Sequence, residues 1–129
     1  MALLAFAPET PIEDRILAAQ MGELSGDALL RQLADAPLYI PSADEVREDG
    51  SRFQPILIDI DRQAFVSVYT APQRARRDKA PHLLQAQGSH FFLRLPAGYG
   101  VAINPGYSAQ IFVPAHGIAA FQQDLRESR

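Results

Sequence analysis

Apolar positions along this chain come in short runs, some at helical spacing and some alternating, and proline or glycine closes most of them. Thr10-Pro11-Ile12-Glu13 has the composition of a helix start. Thr10 caps, Pro11 suits the first helical position, and Glu13 closes a capping box. Ile12, Ile16 and Ala19 form the inward stripe, and Gly22 is the stop. Ser25 caps a second helix with Leu29, Leu30 and Leu33 on its apolar face. Asp35-Ala36-Pro37 ends it, because the residue before a proline avoids helical angles. The short link predicts a helical hairpin.

Leu38-Tyr39-Ile40-Pro41 reads as a short strand with Pro41 at its end or on an edge. The polar stretch 42–52 contains Glu48-Asp49-Gly50-Ser51 and reads as a loop. Phe53 to Asp59 and Ala64 to Tyr69 then form a hairpin joined through Asp61-Arg62-Gln63. Ile56, Ile58 and Ile60 share one face of it, and Leu57 takes the other. Thr70 caps a helical turn. Residues 71–80 hold Arg74, Arg76, Arg77 and Lys79 with few apolar groups, so this stretch is expected to be exposed. His82-Leu83-Leu84 packs locally. Ser89 opens a short helix through Phe91, Phe92 and Leu95, stopped by Pro96. Gly100 to Ile103 is a strand, Asn104-Pro105-Gly106 a turn, and Ala109 to Val113 a strand. Pro114 opens the last helix, with Ile118, Phe121 and Leu125 inside. The order α-α-β-β-β-α-β-β-α predicts an α+β fold. Its centre is a mixed, mostly antiparallel sheet of about five strands with helices packed on it. Residues 1–9 and 126–129 are expected to be loose ends.

Composition narrows the function classes. A length of 129 residues fits a single domain, 1–129. The net charge of −3 argues against nucleic acid as a partner, since a surface that tracks phosphates needs a basic excess. There is no cysteine, so disulfides, thiolate catalysis and thiolate metal sites are excluded. The N-terminal Met-Ala-Leu-Leu-Ala-Phe-Ala has no basic residue before its apolar run, and that run breaks at Pro8 and Glu9. No secretory signal is read from it. No stretch approaches the roughly 18 apolar residues of a membrane span. No membrane partner is expected, and the cytoplasm is the expected compartment.

Ala28-Leu29-Leu30 through Leu38-Tyr39-Ile40-Pro41 begin a series of motifs. It continues in the hairpin from Gln54-Pro55-Ile56-Leu57 to Phe65-Val66-Ser67-Val68-Tyr69-Thr70 and in Gly100-Val-Ala-Ile-Asn-Pro-Gly-Tyr. In order and spacing these resemble the SseB N-terminal domain family, over roughly residues 11–122. That family consists of bacterial proteins linked by name to enhanced serine sensitivity or to secretion. The resemblance implies a non-catalytic module of that fold.

Candidate chemistry is sparse. Asn104-Pro105-Gly106-Tyr107 either presents Tyr107 and backbone amides to a ligand or is simply a turn with glycine where φ is positive. His82, His90 and His116 lack metal-ligand spacing. Asp59 and Asp61 project from one sheet face, but at a hairpin tip, where carboxylates commonly stabilise turns. Arg74, Arg76 and Arg77 with Lys79 form the one basic cluster, diluted by Asp78 and without interleaved aromatics. No serine stands in a nucleophile elbow, and no phosphate-binding glycine loop occurs. The expectation is therefore no enzyme, no cofactor and no metal. The chain reads as a protein-interaction module that binds another protein or itself as a homodimer. Its candidate surface is Tyr99, Asn104, Pro105, Gly106, Tyr107 and Phe112, with Arg74, Arg76 and Arg77. The alternative is a small-ligand sensor or an enzyme with a pocket near the Asn-Pro-Gly turn.

Overall fold

The computed structural model describes residues 3–43, 55–75 and 82–127. It is an α+β fold, with four helices and six strands among the described residues. Helices α1 (Pro11–Gln20) and α2 (Gly26–Ala34) form the expected hairpin. The Glu13 N–H donates to Thr10 Oγ1, and the Ala28 N–H to Ser25 Oγ. At the end of α1, Gly22 at φ 78° lets its N–H reach the Ala19 carbonyl. The Glu23 N–H reaches that of Ala18, so two otherwise orphaned carbonyls are satisfied.

Strands β1 (Pro37–Ser42) and β4 (His82–Gln87) form a two-stranded antiparallel sheet. Strands β2 (Leu57–Ile60), β3 (Gln63–Val68), β5 (Tyr99–Ile103) and β6 (Ile111–Val113) form the second sheet, in the order β2-β3-β5-β6. The β3–β5 pair is parallel. A parallel pair needs a crossover, and here the crossover carries β4 and α3 (Gly88–Arg94). The single central sheet of about five strands is thus corrected to two sheets. Residues 82–87, expected only to pack locally, are a full strand because β1 offers a six-residue partner.

Pro41 lies inside β1 rather than at its end, and the register explains how. Gly88 donates to the Ala36 carbonyl, so pairs 38/86, 40/84 and 42/82 exchange hydrogen bonds with β4. Pro37 and Pro41 occupy the alternate pairs, whose nitrogens face away from β4. Tyr39 lies between them, and its N–H and C=O bond to Tyr69 instead, at 2.9 and 2.8 Å. That bridge joins the two sheets.

The β2–β3 hairpin turns on Asp61 (φ 51°) and Arg62 (φ 69°), both left-handed, which matches the twist of the flanking strands. β2 starts at Leu57; Phe53 and Gln54, read as its beginning, lie outside the described residues. α4 (Ala115–Glu127) continues through Arg126 and Glu127, which were expected to be loose. Its buried Gln122 donates to the Phe92 and Leu95 carbonyls at the end of α3. Gly88 sits against α2 so closely that a Cβ there would lie 1.9 Å from the Leu33 carbonyl oxygen. The core lies between helices and sheets and centres on Leu33, Leu38, Ile40, Phe92, Ile103 and Ile118, all nearly or fully buried.

Candidate functional site

A buried ionic cluster lies where α1, the end of β3 and the turn after β5 meet. Glu13 is 0% exposed and Arg74 is 7% exposed. Arg74 grips the carboxylate with two nitrogens, Nε to Oε2 and Nη2 to Oε1, the latter at 2.8 Å. Such a fork is the strongest common ion-pair geometry. Nη2 also donates to the Ala7 carbonyl at 2.7 Å. Thr70 Oγ1 donates to Glu13 Oε2, and the Glu9 N–H donates to Oε1 at 2.9 Å. The guanidinium lies 4.0 Å from the Phe6 ring centroid and 5.5 Å from that of Tyr107. The 71–80 stretch expected to be exposed therefore contains one of the most committed cations in the molecule. A single 3-10 turn, Pro72–Arg74, aims it inward.

The Asn-Pro-Gly turn supports this cluster. Asn104 is fully buried at φ 51°, and Gly106 is at φ 90°. Asn104 Oδ1 accepts from the Thr70 N–H at 3.1 Å, and its Nδ2 donates to Thr70 Oγ1 at 3.0 Å. The Gly106 N–H donates to Gln110 Oε1, and the Gly106 carbonyl accepts from Leu4 N–H. Tyr107 donates its hydroxyl proton to the Arg74 carbonyl at 2.9 Å. The Tyr107 hydroxyl and the backbone amides that a ligand-presenting turn would offer are thus taken up within the fold. Leu4 pairs with Tyr107 as a parallel bridge, and Phe6 packs edge-on against the same ring. Residues 3–9, expected to hang loose, are tied down by these contacts.

Burial by itself would push the Glu13 carboxyl up. Hydrogen bonds from Arg74, Thr70 and Glu9, with the guanidinium charge, outweigh that and hold it below the ordinary value of 4.5. The bond to Glu13 raises Arg74 further above the guanidinium range. A carboxyl depressed in the folded state contributes stability that is full above its unfolded pKa. That contribution is lost as pH falls through the lower folded value. Urea midpoints measured downward from pH 6 are expected to fall below pH 4.5, and more steeply for wild type than for Glu13→Gln.

Beside the cluster is an open groove of about 590 Å³. Its walls come from the start of α1 (Thr10, Ile12, Arg15), the α2–β1 junction (Gln32, Tyr39) and residues 70–73. Thr70 therefore touches both the groove and the buried network. Every buried side-chain nitrogen or oxygen among the described residues has a partner.

The remaining sequence candidates scatter. Phe112 packs edge-on against Phe65 at 5.4 Å, and Tyr99 is half-buried on β5. Pro105 is buried. Arg76 and Arg77 lie outside the described residues. Among the described residues no group of three or more histidine, aspartate or glutamate side chains gathers as a metal site. None of the described helices is long and apolar enough to cross a membrane. The Glu13–Arg74 pair was not anticipated: the partners stand far apart in the chain, and Glu13 carries a complete local explanation as a helix cap.

The family model described as SseB protein N-terminal domain matches residues 14–120, most of the chain. No curated protein and no solved structure matches.

Proposed function

We propose, for a chain that belongs to the SseB protein N-terminal domain family, a role as a non-catalytic protein-interaction module of the bacterial cytoplasm. The observation that carries this reading is the outer edge of β2. Among the described residues no strand pairs with it, and Leu57 and Ile60 on it are 44% and 39% exposed. An unpaired apolar edge is a template for an added strand from another chain. A non-catalytic role is supported by the state of the cluster. The Glu13 carboxylate is a weak base, held low and committed to Arg74, and the Thr70 hydroxyl beside it is buried. The groove favours a second reading, in which the domain also binds a ligand.

The test uses a Leu57→Lys, Ile60→Lys double variant. Wild-type protein is expected to self-associate in sedimentation velocity, or to retain a protein on affinity capture, and the variant to lose that association. A strict monomer that captures the same proteins before and after the change overturns the reading.

A further inference from the structure

We propose that the groove between α1, the α2–β1 junction and residues 70–73 binds an extended acidic peptide segment of a partner protein, with one carboxylate held by Arg15. This goes beyond the edge reading, because no residue of β2 lines the groove.

Three side chains in the groove wall have polar ends that bond to nothing else among the described residues. They are the Arg15 guanidinium, the Gln32 amide and the Tyr39 hydroxyl. The groove's other polar side chains are already occupied: Thr70 with Glu13 and Asn104, Gln73 with Glu9, and Thr10 in capping α1. The free groups stand among apolar ones, chiefly Ile12, Ala36 and the proline rings of residues 11, 37 and 72. A mostly apolar cavity of this volume with a few unpaired polar groups converging on it is the usual form of a binding site.

Charge selects the ligand class. Among the described residues Arg15 is the only charged side chain in the wall, which gives this part of the groove a positive centre. One guanidinium fork matches one carboxylate. A polyanion would require several cations along its length, so nucleic acid is a poor fit. Shape selects a peptide: the groove is open, and its walls come from three separate stretches of chain, so the ligand must touch all of them. An acidic residue flanked by apolar ones does this, with its carboxylate on Arg15, its backbone on Gln32 and Tyr39, and its apolar neighbours over Ile12 and the prolines. The floor is fixed in advance. Thr70 is locked by Glu13 and Asn104, so binding orders little of the protein.

The experiment selects random peptides about a dozen residues long by display against the wild-type domain. Binding of the enriched peptide is then measured by fluorescence anisotropy. An enriched family with Asp or Glu beside apolar residues is expected. Arg15→Gln should weaken it about tenfold, as should Glu→Gln in the peptide, the scale of one charge-assisted contact. Arg15 is exposed, so this variant is expected to keep the wild-type melting temperature. The Leu57→Lys, Ile60→Lys variant should bind the peptide as wild type does, which separates this site from the β2 edge. Failure to enrich any family that depends on Arg15 overturns the proposal. Equal displacement of the peptide by free glutarate also overturns it, and assigns the groove to small carboxylates.

Discussion

Replacing Arg74 with methionine is expected to lower the unfolding free energy by about 3–5 kcal/mol, the usual cost of stranding one half of a buried ion pair. The large effect comes from what is left behind. Glu13 remains fully buried, and its carboxylate loses both guanidinium hydrogen bonds and the charge that holds its pKa down. The Ala7 carbonyl loses its donor as well, and the Phe6 ring loses the cation above it. Arg74→Lys is expected to recover only a small part, since an ammonium cannot fork onto the carboxylate while also reaching Ala7. A Glu13→Leu, Arg74→Met double variant removes both charges and should be more stable than Arg74→Met alone. It should still fall short of wild type, because the Glu9 N–H and Ala7 carbonyl stay unpaired. Chemical denaturation of wild type, Glu13→Leu, Arg74→Met and the double variant checks this as a double-mutant cycle. A single Arg74→Met that matches wild type within experimental error would show that the pair contributes nothing.

Asn104→Ala is expected to cost about 2–4 kcal/mol, from two separable sources. The buried Thr70 N–H loses its acceptor, and Thr70 Oγ1 loses a donor. Alanine must also hold φ 51°, a left-handed angle that asparagine tolerates better. Asn104→Gly divides the two. Glycine adopts that angle freely but restores no hydrogen bond, so it should regain about 1 kcal/mol relative to alanine. Urea denaturation gives the magnitudes. Amide exchange at Thr70 gives the mechanism: it should accelerate in both variants, because each leaves that N–H without a partner. Equal stability of the alanine and glycine variants would remove the backbone part of the argument.

These two residues show how legible the site was. Asn104-Pro105-Gly106 reads as a turn with positive φ, and the structure has positive φ at Asn104 and Gly106. That Asn104 faces inward and holds Thr70 depends on a partner 34 positions away, which no local pattern reports. Glu13 is more instructive. Its position three residues after Thr10 has a sufficient local explanation as a helix cap, and that explanation hides a longer-range role. In the fold its side chain accepts from the Glu9 N–H, one residue before the expected cap, and is otherwise committed to Arg74 and Thr70. Arg74 sits in a run of cations, where average charge predicts exposure. A single 3-10 turn is enough to reverse its direction.

By itself the sequence determined what depends on near neighbours. It set the helix starts at Thr10 and Ser25, the stop at Gly22, the apolar stripes of α2 and α4, and the β2–β3 hairpin. Periodicity, capping and turn preferences act over a few residues, and those residues are adjacent in the chain. It also carried the family, through motifs whose order survives without any knowledge of contacts. Only the tertiary structure decided that residues 82–87 are a strand, that the strands divide into two sheets bridged at Tyr39 and Tyr69, and that the N-terminal segment is anchored. It alone buried Arg74 on Glu13 and set Arg15 in the wall of a groove. These outcomes turn on which backbone and charged groups can find partners across the chain, and a hydrogen bond between distant residues leaves no periodic trace in either segment.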